Sequence, residues 1–80
     1  RINLADCDLS AAELTRADLS VADLSAADLP WADLRGTALL GADLTRANLA
    51  EANLRGVDLS GAELHATTLP DGFERGESDD

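Results

Sequence analysis

A leucine falls on every fifth position from Leu4 to Leu69 without a miss, and only Leu40 stands outside the series. Two residues before each leucine the chain places Ile2, Cys7, Ala12, Ala17, Ala22, Ala27, Ala32, Thr37, Ala42, Ala47, Ala52, Val57, Ala62 and Thr67, none of them charged. The position just before leucine is polar in most repeats and holds nine of the sixteen acidic residues, Asp8, Glu13, Asp18, Asp23, Asp28, Asp33, Asp43, Asp58 and Glu63. A helix needs apolar spacings of three and four to keep one face apolar, and steps of five would wind the leucines around it. A straight strand alternates faces with period two, so an odd spacing sends successive leucines to opposite sides. A path that bends once per five residues points every leucine inward. Each unit is then a short straight piece and a corner, and Asp or Asn before the corner suits it because a short polar side chain can accept from nearby backbone amides.

The segment RGTALLGADL (35–44) aligns with RGVDLSGAEL (55–64), matching Arg35 with Arg55, Gly36 with Gly56 and Gly41 with Gly61. A recurrence of twenty is what like-on-like stacking in a four-sided coil favours, although a gene duplication leaves the same mark; four sides are taken. Four sides divide the repeats into about three and a half coils.

The run ADLSVADLSAADL, continued through ANLAEANLRGVDL, resembles the pentapeptide-repeat proteins, whose motif is A(D/N)Lxx. The resemblance covers residues 2–71 and implies an all-β fold, a right-handed quadrilateral β-helix with leucine and alanine stacked in ladders. Thr37-Ala38-Leu39 and Thr67-Thr68-Leu69 depart from the motif by lacking the acid or amide. The β-helix is expected over 1–71. Residues 72–80 follow as Phe73, placed to fold over the last coil, and an acidic tail, ERGESDD. Arg1 and Ile2 enter already in register and without an initiator methionine, which points to a piece of a longer protein or a processed form. Ile2 and Cys7, bulkier than the alanines after them, are expected to fill the wider end.

Net charge is −10, and assignment by position in twenty spreads it unevenly. One side stacks Asp23, Asp43 and Glu63 with Asp6, against Arg46 alone; its neighbour carries Asp8, Asp28, Glu51 and Asp71. The side of Leu14, Leu34 and Leu54 stacks Arg35 over Arg55 with Arg16 close by, offset by Glu13 and Asp33. That arginine side is the one suited to an anion or an acidic partner. Pro30-Trp31 and Leu40 fall on opposite sides. Trp31, the sole tryptophan, has two readings: packing against a neighbouring corner, which is expected, or an interface anchor.

No catalytic constellation is legible. His65 is the only histidine, outward-facing, with no nucleophile fixed beside it. Cys7 is the only cysteine, inward and flanked by Asp6 and Asp8, which opposes a thiolate. It suits a reducing compartment such as the bacterial cytoplasm. No cofactor is expected. A straight acidic ridge does not converge as a calcium site must. No apolar run approaches the roughly 18 residues of a membrane span.

These features lead to a non-catalytic solenoid that serves as a structural and protein-interaction module. The candidate contacts are Arg16, Arg35, Arg55, Trp31, Asp23, Asp43 and Glu63, and the partner is a protein. Direct nucleic-acid binding is not expected, since the acidic sides repel phosphate. The exposed coil ends permit a homodimer. The alternative, implied by the resemblance, is a DNA-mimicking inhibitor or protector of DNA gyrase or topoisomerase. It would need more coils or dimerisation, because this stack is only about 17 Å long at roughly 4.8 Å per coil.

Overall fold

The computed structural model describes residues 2–71 and 73. The tail expected over 74–80 lies outside them, as do Arg1 and Gly72.

The chain winds as a four-sided coil of twenty residues per turn, with parallel bridges such as Asn3 to Asp23, Asp23 to Asp43 and Asp43 to Glu63 joining each side to the same side one turn on. The straight pieces are so short that each pairs through a single residue, the one before the leucine. From Leu4 to Leu49, each repeat leucine amide donates to the carbonyl nineteen residues ahead, as Leu24 does to Asp43 at 2.8 Å. The amide before the leucine points the other way, as Asp43 does to Ala22 at 2.9 Å. Backbone groups of the inner coils are thereby paired with the coils on both sides, which a short strand alone could not achieve.

Each corner is a β-turn closed from the residue three after the leucine back to the leucine carbonyl, as in Ala27 to Leu24 at 3.1 Å. The third turn residue takes a positive φ at every corner from Asp6 to Ala66, which is the type II requirement. Glycine meets it at Gly36, Gly41, Gly56 and Gly61; elsewhere the chain places Asp6, Ala11, Arg16, Val21, Ala26, Trp31, Arg46, Glu51 and Ala66 there. The aspartates and asparagines before the leucines hold the corners from outside. Asp8, Asp18, Asp23, Asp33, Asp43, Asp58, Asn3, Asn48 and Asn53 each accept the backbone amide two residues on, at 3.0–3.3 Å.

The interior is leucine stacked on leucine and alanine on alanine. Leu24, Leu29, Leu34, Leu39, Leu44 and Leu49 are at most 1% exposed. Burial of each contributes about 1.5–3 kcal/mol. Alanine on the other inward position keeps the coil narrow enough to fill without a void. The first and last coils, with Leu4, Leu9, Leu14, Leu59, Leu64 and Leu69, are only partly buried, and Phe73 packs against the core. Ile2 does not fill the first coil as expected; it is 46% exposed, because an end coil has neighbours on one side only. Extents of 28 × 23 × 21 Å make the molecule a squat block with four flat sides.

Candidate interaction surface

The inward positions are committed to packing, so the outward ones carry whatever the protein recognises. The structure distributes the candidate residues over three separate places on the coil.

Asp23, Asp43 and Glu63 are bridged in sequence and form one column. The column is built into the corners. One carboxylate oxygen of Asp23 accepts the amide and hydroxyl of Ser25 at 3.0 and 2.7 Å, and one of Asp43 accepts those of Thr45 at 3.0 and 2.6 Å. These bonds offset the repulsion that stacked carboxylates feel at one-coil spacing.

The three arginines share the corner after Leu14, Leu34 and Leu54. The Arg16 amide donates to the Arg35 carbonyl, and the Gly36 amide to the Arg55 carbonyl, both at 2.9 Å. Thr15, Arg16, Arg35 and Gly36 line an open depression of about 370 Å³. A side chain at Gly36 would press on the Arg16 stem, with a Cβ 3.4 Å from Arg16 Cγ. The three cations are not equivalent. Arg35 grips Asp33 through Nε at 2.9 Å and Nη2 at 2.7 Å. Each partner favours the other's charged form, so the Asp33 carboxyl is held below its ordinary value and the Arg35 guanidinium raised. Among the described residues, Arg16 and Arg55 have no ion-pair partner.

Trp31 stands apart, on the corner after Leu29. The expected packing against a neighbouring corner is not there: the side chain is 68% exposed. The equivalent corner positions one coil back and one coil on are only Ala11 and Glu51.

Two features escaped the sequence reading. Val21 is 58% exposed and donates its amide to Leu40, itself 43% exposed, so the corner opposite Trp31 carries a small apolar pair. The twenty-residue register could have placed them together. The second is Asp28. It is the one aspartate before a repeat leucine, among the described residues, that holds no turn amide, because the residue two on is Pro30, which has no N–H.

Among the described residues no group of three or more His, Cys, Asp or Glu is arranged to hold a metal ion, and no helix is long and apolar enough to cross a membrane.

The profile for pentapeptide repeats matches the chain in eight copies, over residues 2–39 and 38–70. The chain belongs to the pentapeptide-repeat family. A pentapeptide-repeat protein of the Arabidopsis thaliana thylakoid lumen is 38% identical, with a TM-score of 0.82 over 85% of this chain and 47% of that one. The pentapeptide-repeat protein Rfr23 of the cyanobacterium Cyanothece 51142 is 35% identical, with a TM-score of 0.65 over 84% of this chain and 43% of its own. QnrB1, a plasmid-mediated fluoroquinolone resistance protein, shares the fold at 21% identity and a TM-score of 0.51, over 82% of this chain and 39% of that one. No curated protein sequence matches the chain. The pentapeptide-repeat chain described here thus spans less than half the length of these three structures. Its fold is the right-handed quadrilateral β-helix of the family, which is generally a non-catalytic structural solenoid.

Proposed function

We propose that this pentapeptide-repeat coil is a non-catalytic interaction module that offers its outward side chains to a protein partner. The observation that carries the reading is Trp31, a large aromatic side chain held 68% exposed on a backbone locked by ladder bonds on both sides. Such a side chain costs little further entropy when a partner covers it. Arg16, Arg35 and Arg55 form a second contact set and Asp23, Asp43 and Glu63 a third. A reducing compartment such as the cytoplasm suits the unpaired, half-buried Cys7.

The test is affinity capture of partners by the parent and by three sets of variants, Trp31→Ala, Arg16→Ala with Arg55→Ala, and Asp23→Asn with Asp43→Asn. A partner lost with one set and kept with the others supports the module. Capture that no set alters, or that the unfolded Leu34→Lys variant retains, overturns it.

The rival reading, mimicry of DNA toward a gyrase or topoisomerase, draws on the acidic column and the charge of −10. The described coils alone span 28 × 23 × 21 Å, so this reading calls for further coils or a second copy. Stacking of a second copy on an open coil end would lengthen the column. Light scattering on the chain and on the full-length protein tests this: a defined dimer through the coil ends supports the mimic reading, and a monomer in both opposes it.

A further inference from the structure

The corner after Leu29 differs in two linked ways from the corners that an aspartate before the leucine holds. Pro30 supplies no N–H, so the Asp28 carboxylate has no donor among the described residues, while Asp8, Asp18, Asp23, Asp33, Asp43 and Asp58 each hold a turn amide. Asp28 is exposed, as are Asp8, Asp18 and Asp58, whereas Asp23, Asp33 and Asp43 are half-buried. The next residue is Trp31, and the Trp31 amide donates to Ala50 at 3.1 Å, which sets Glu51 at the equivalent corner position one coil on. Glu51 is exposed and likewise without a side-chain partner among the described residues. The proline therefore leaves a carboxylate without a turn bond three residues before an exposed indole, with an exposed Glu51 at the indole's own corner position one coil on.

We infer that this corner docks a basic segment of the protein partner, an arginine or lysine side chain set against the Trp31 indole with Asp28 and Glu51 as its counter-ions. The inference rests on the interaction-module reading and adds the chemistry of the partner. An aromatic face attracts a cation, and carboxylates not already spent on the turn can accept its N–H groups. Tryptophan is also the side chain most often found at the energetic centre of an interface. The arginine corner is less suited to be the main contact, because Arg35 is already neutralised by Asp33. An acidic molecule of net charge −10 draws a basic partner from a distance, and the Trp31 corner then fixes where it lands.

Trp31 is the only tryptophan, so its emission reports on this corner alone. The intact chain is titrated with a synthetic arginine-glycine peptide, and with its glutamate-glycine counterpart as control. The expected result is a saturable change in Trp31 emission with the first peptide and none with the second. Asp28→Asn and Glu51→Gln should each weaken binding by about threefold or more. Pro30→Ser, which gives Asp28 an amide and a hydroxyl to hold as Asp8 and Asp23 have, should weaken it likewise. Asp58→Asn, at the opposite corner, removes the same charge and should leave it unchanged. Trp31→Ala, followed by calorimetry, should weaken it most. Equal losses for Asp28→Asn and Asp58→Asn would show attraction by net charge only and overturn the site, as would an emission that does not respond. If the parent still captures a partner that only the arginine or Asp23 and Asp43 variants lose, the module stands and this docking point falls. If no variant set alters capture, both fall.

Discussion

Thr37 reaches back across one coil, its hydroxyl donating to the carbonyl of Leu14 at 2.7 Å. Thr67 does the same to Leu44 at 2.6 Å. Both threonines sit on inward positions where the repeat prefers alanine, and both are buried, at 1% and 6% exposure. A hydroxyl is tolerated in a leucine ladder because a carbonyl of the preceding coil lies within its reach. Thr37→Val should therefore cost about 1 kcal/mol in denaturant unfolding. Shape is not the issue, since Val57 occupies the same inward position one coil on. No loss on Thr37→Val would mean that the bond contributes nothing.

Leu34 is 1% exposed, and its neighbour Arg35 has a side chain 56% exposed and paired only to Asp33. Leu34→Ala should cost about 2–5 kcal/mol. Leu34→Lys should abolish the fold of so small a domain, because it buries a charge with no partner. Arg35→Ala should cost less than about 1 kcal/mol, as exposed ion pairs do. Circular dichroism with thermal melts separates the three, and a Leu34→Lys variant as stable as the parent would contradict the inward leucine ladder.

Much of this was legible beforehand, for reasons tied to particular residues. The five-residue period could only be met by a path that bends, so Leu34 and Ala32 had to point inward, and the Arg35 to Arg55 recurrence, which a gene duplication would also leave, agrees with the stacking of like corners that the bridges show. The turn role of Asp23 and Asn48 followed from side-chain length. What could not be read was how far an outward residue stands from its neighbours. The sequence predicts that Trp31 packs on an adjacent corner, whereas it stands 68% exposed, and side-chain exposure at a corner leaves no mark in a sequence that uses valine, alanine, arginine and glycine at equivalent positions. Asp28 reads in the sequence as one more acid before a repeat leucine. Its difference lies in the donor that Pro30 lacks, visible only once the turn bonds of the other aspartates are seen.

Val21 is the corner residue least suited to its backbone, being β-branched at φ 58. Left-handed φ is strained for any L side chain, most for β-branched ones, and Asn tolerates it best after glycine. Val21→Asn should stabilise the coil by about 0.5–1 kcal/mol. In a domain of this size that is a rise of several degrees in Tm, at about 4–8 °C per kcal/mol. The converse substitution, Gly61→Val at φ 71, should lower Tm. A fall on Val21→Asn would show that the apolar contact with the Leu40 corner outweighs the strain.

Phe73 packs on the last coil, and its amide donates to the Pro70 carbonyl at 3.1 Å. Leu59, Leu64 and Leu69 of the last coil are only partly buried. Phe73→Ala should therefore lower stability and increase self-association at the open coil end, read as a rise in molar mass by light scattering. Unchanged mass and Tm would show that the last coil needs no cover.

Stability should fall in acid through identified carboxylates. Ser10, Ser20 and Ser60 donate to Asp8, Asp18 and Asp58, and Arg35 to Asp33, and each of these bonds holds its carboxyl below the ordinary value. In the unfolded chain the same groups titrate near 3.9. On the way down in pH the unfolded state thus takes up protons first. The stabilisation is complete above about pH 4–5 and is lost as pH falls through the lower, folded-state values. Relief of repulsion among the excess acids acts in the opposite direction, so the wild-type curve alone does not isolate the effect. Asn48 and Asn53 show the control, since each holds its turn amide as an aspartate does but without a titrating charge. Replacing Asp8, Asp18, Asp33 and Asp58 together by asparagine should keep the corners closed at neutral pH and flatten the fall of Tm between about pH 4 and pH 2. A variant that loses stability in acid as steeply as the parent would place the acid sensitivity elsewhere in the chain.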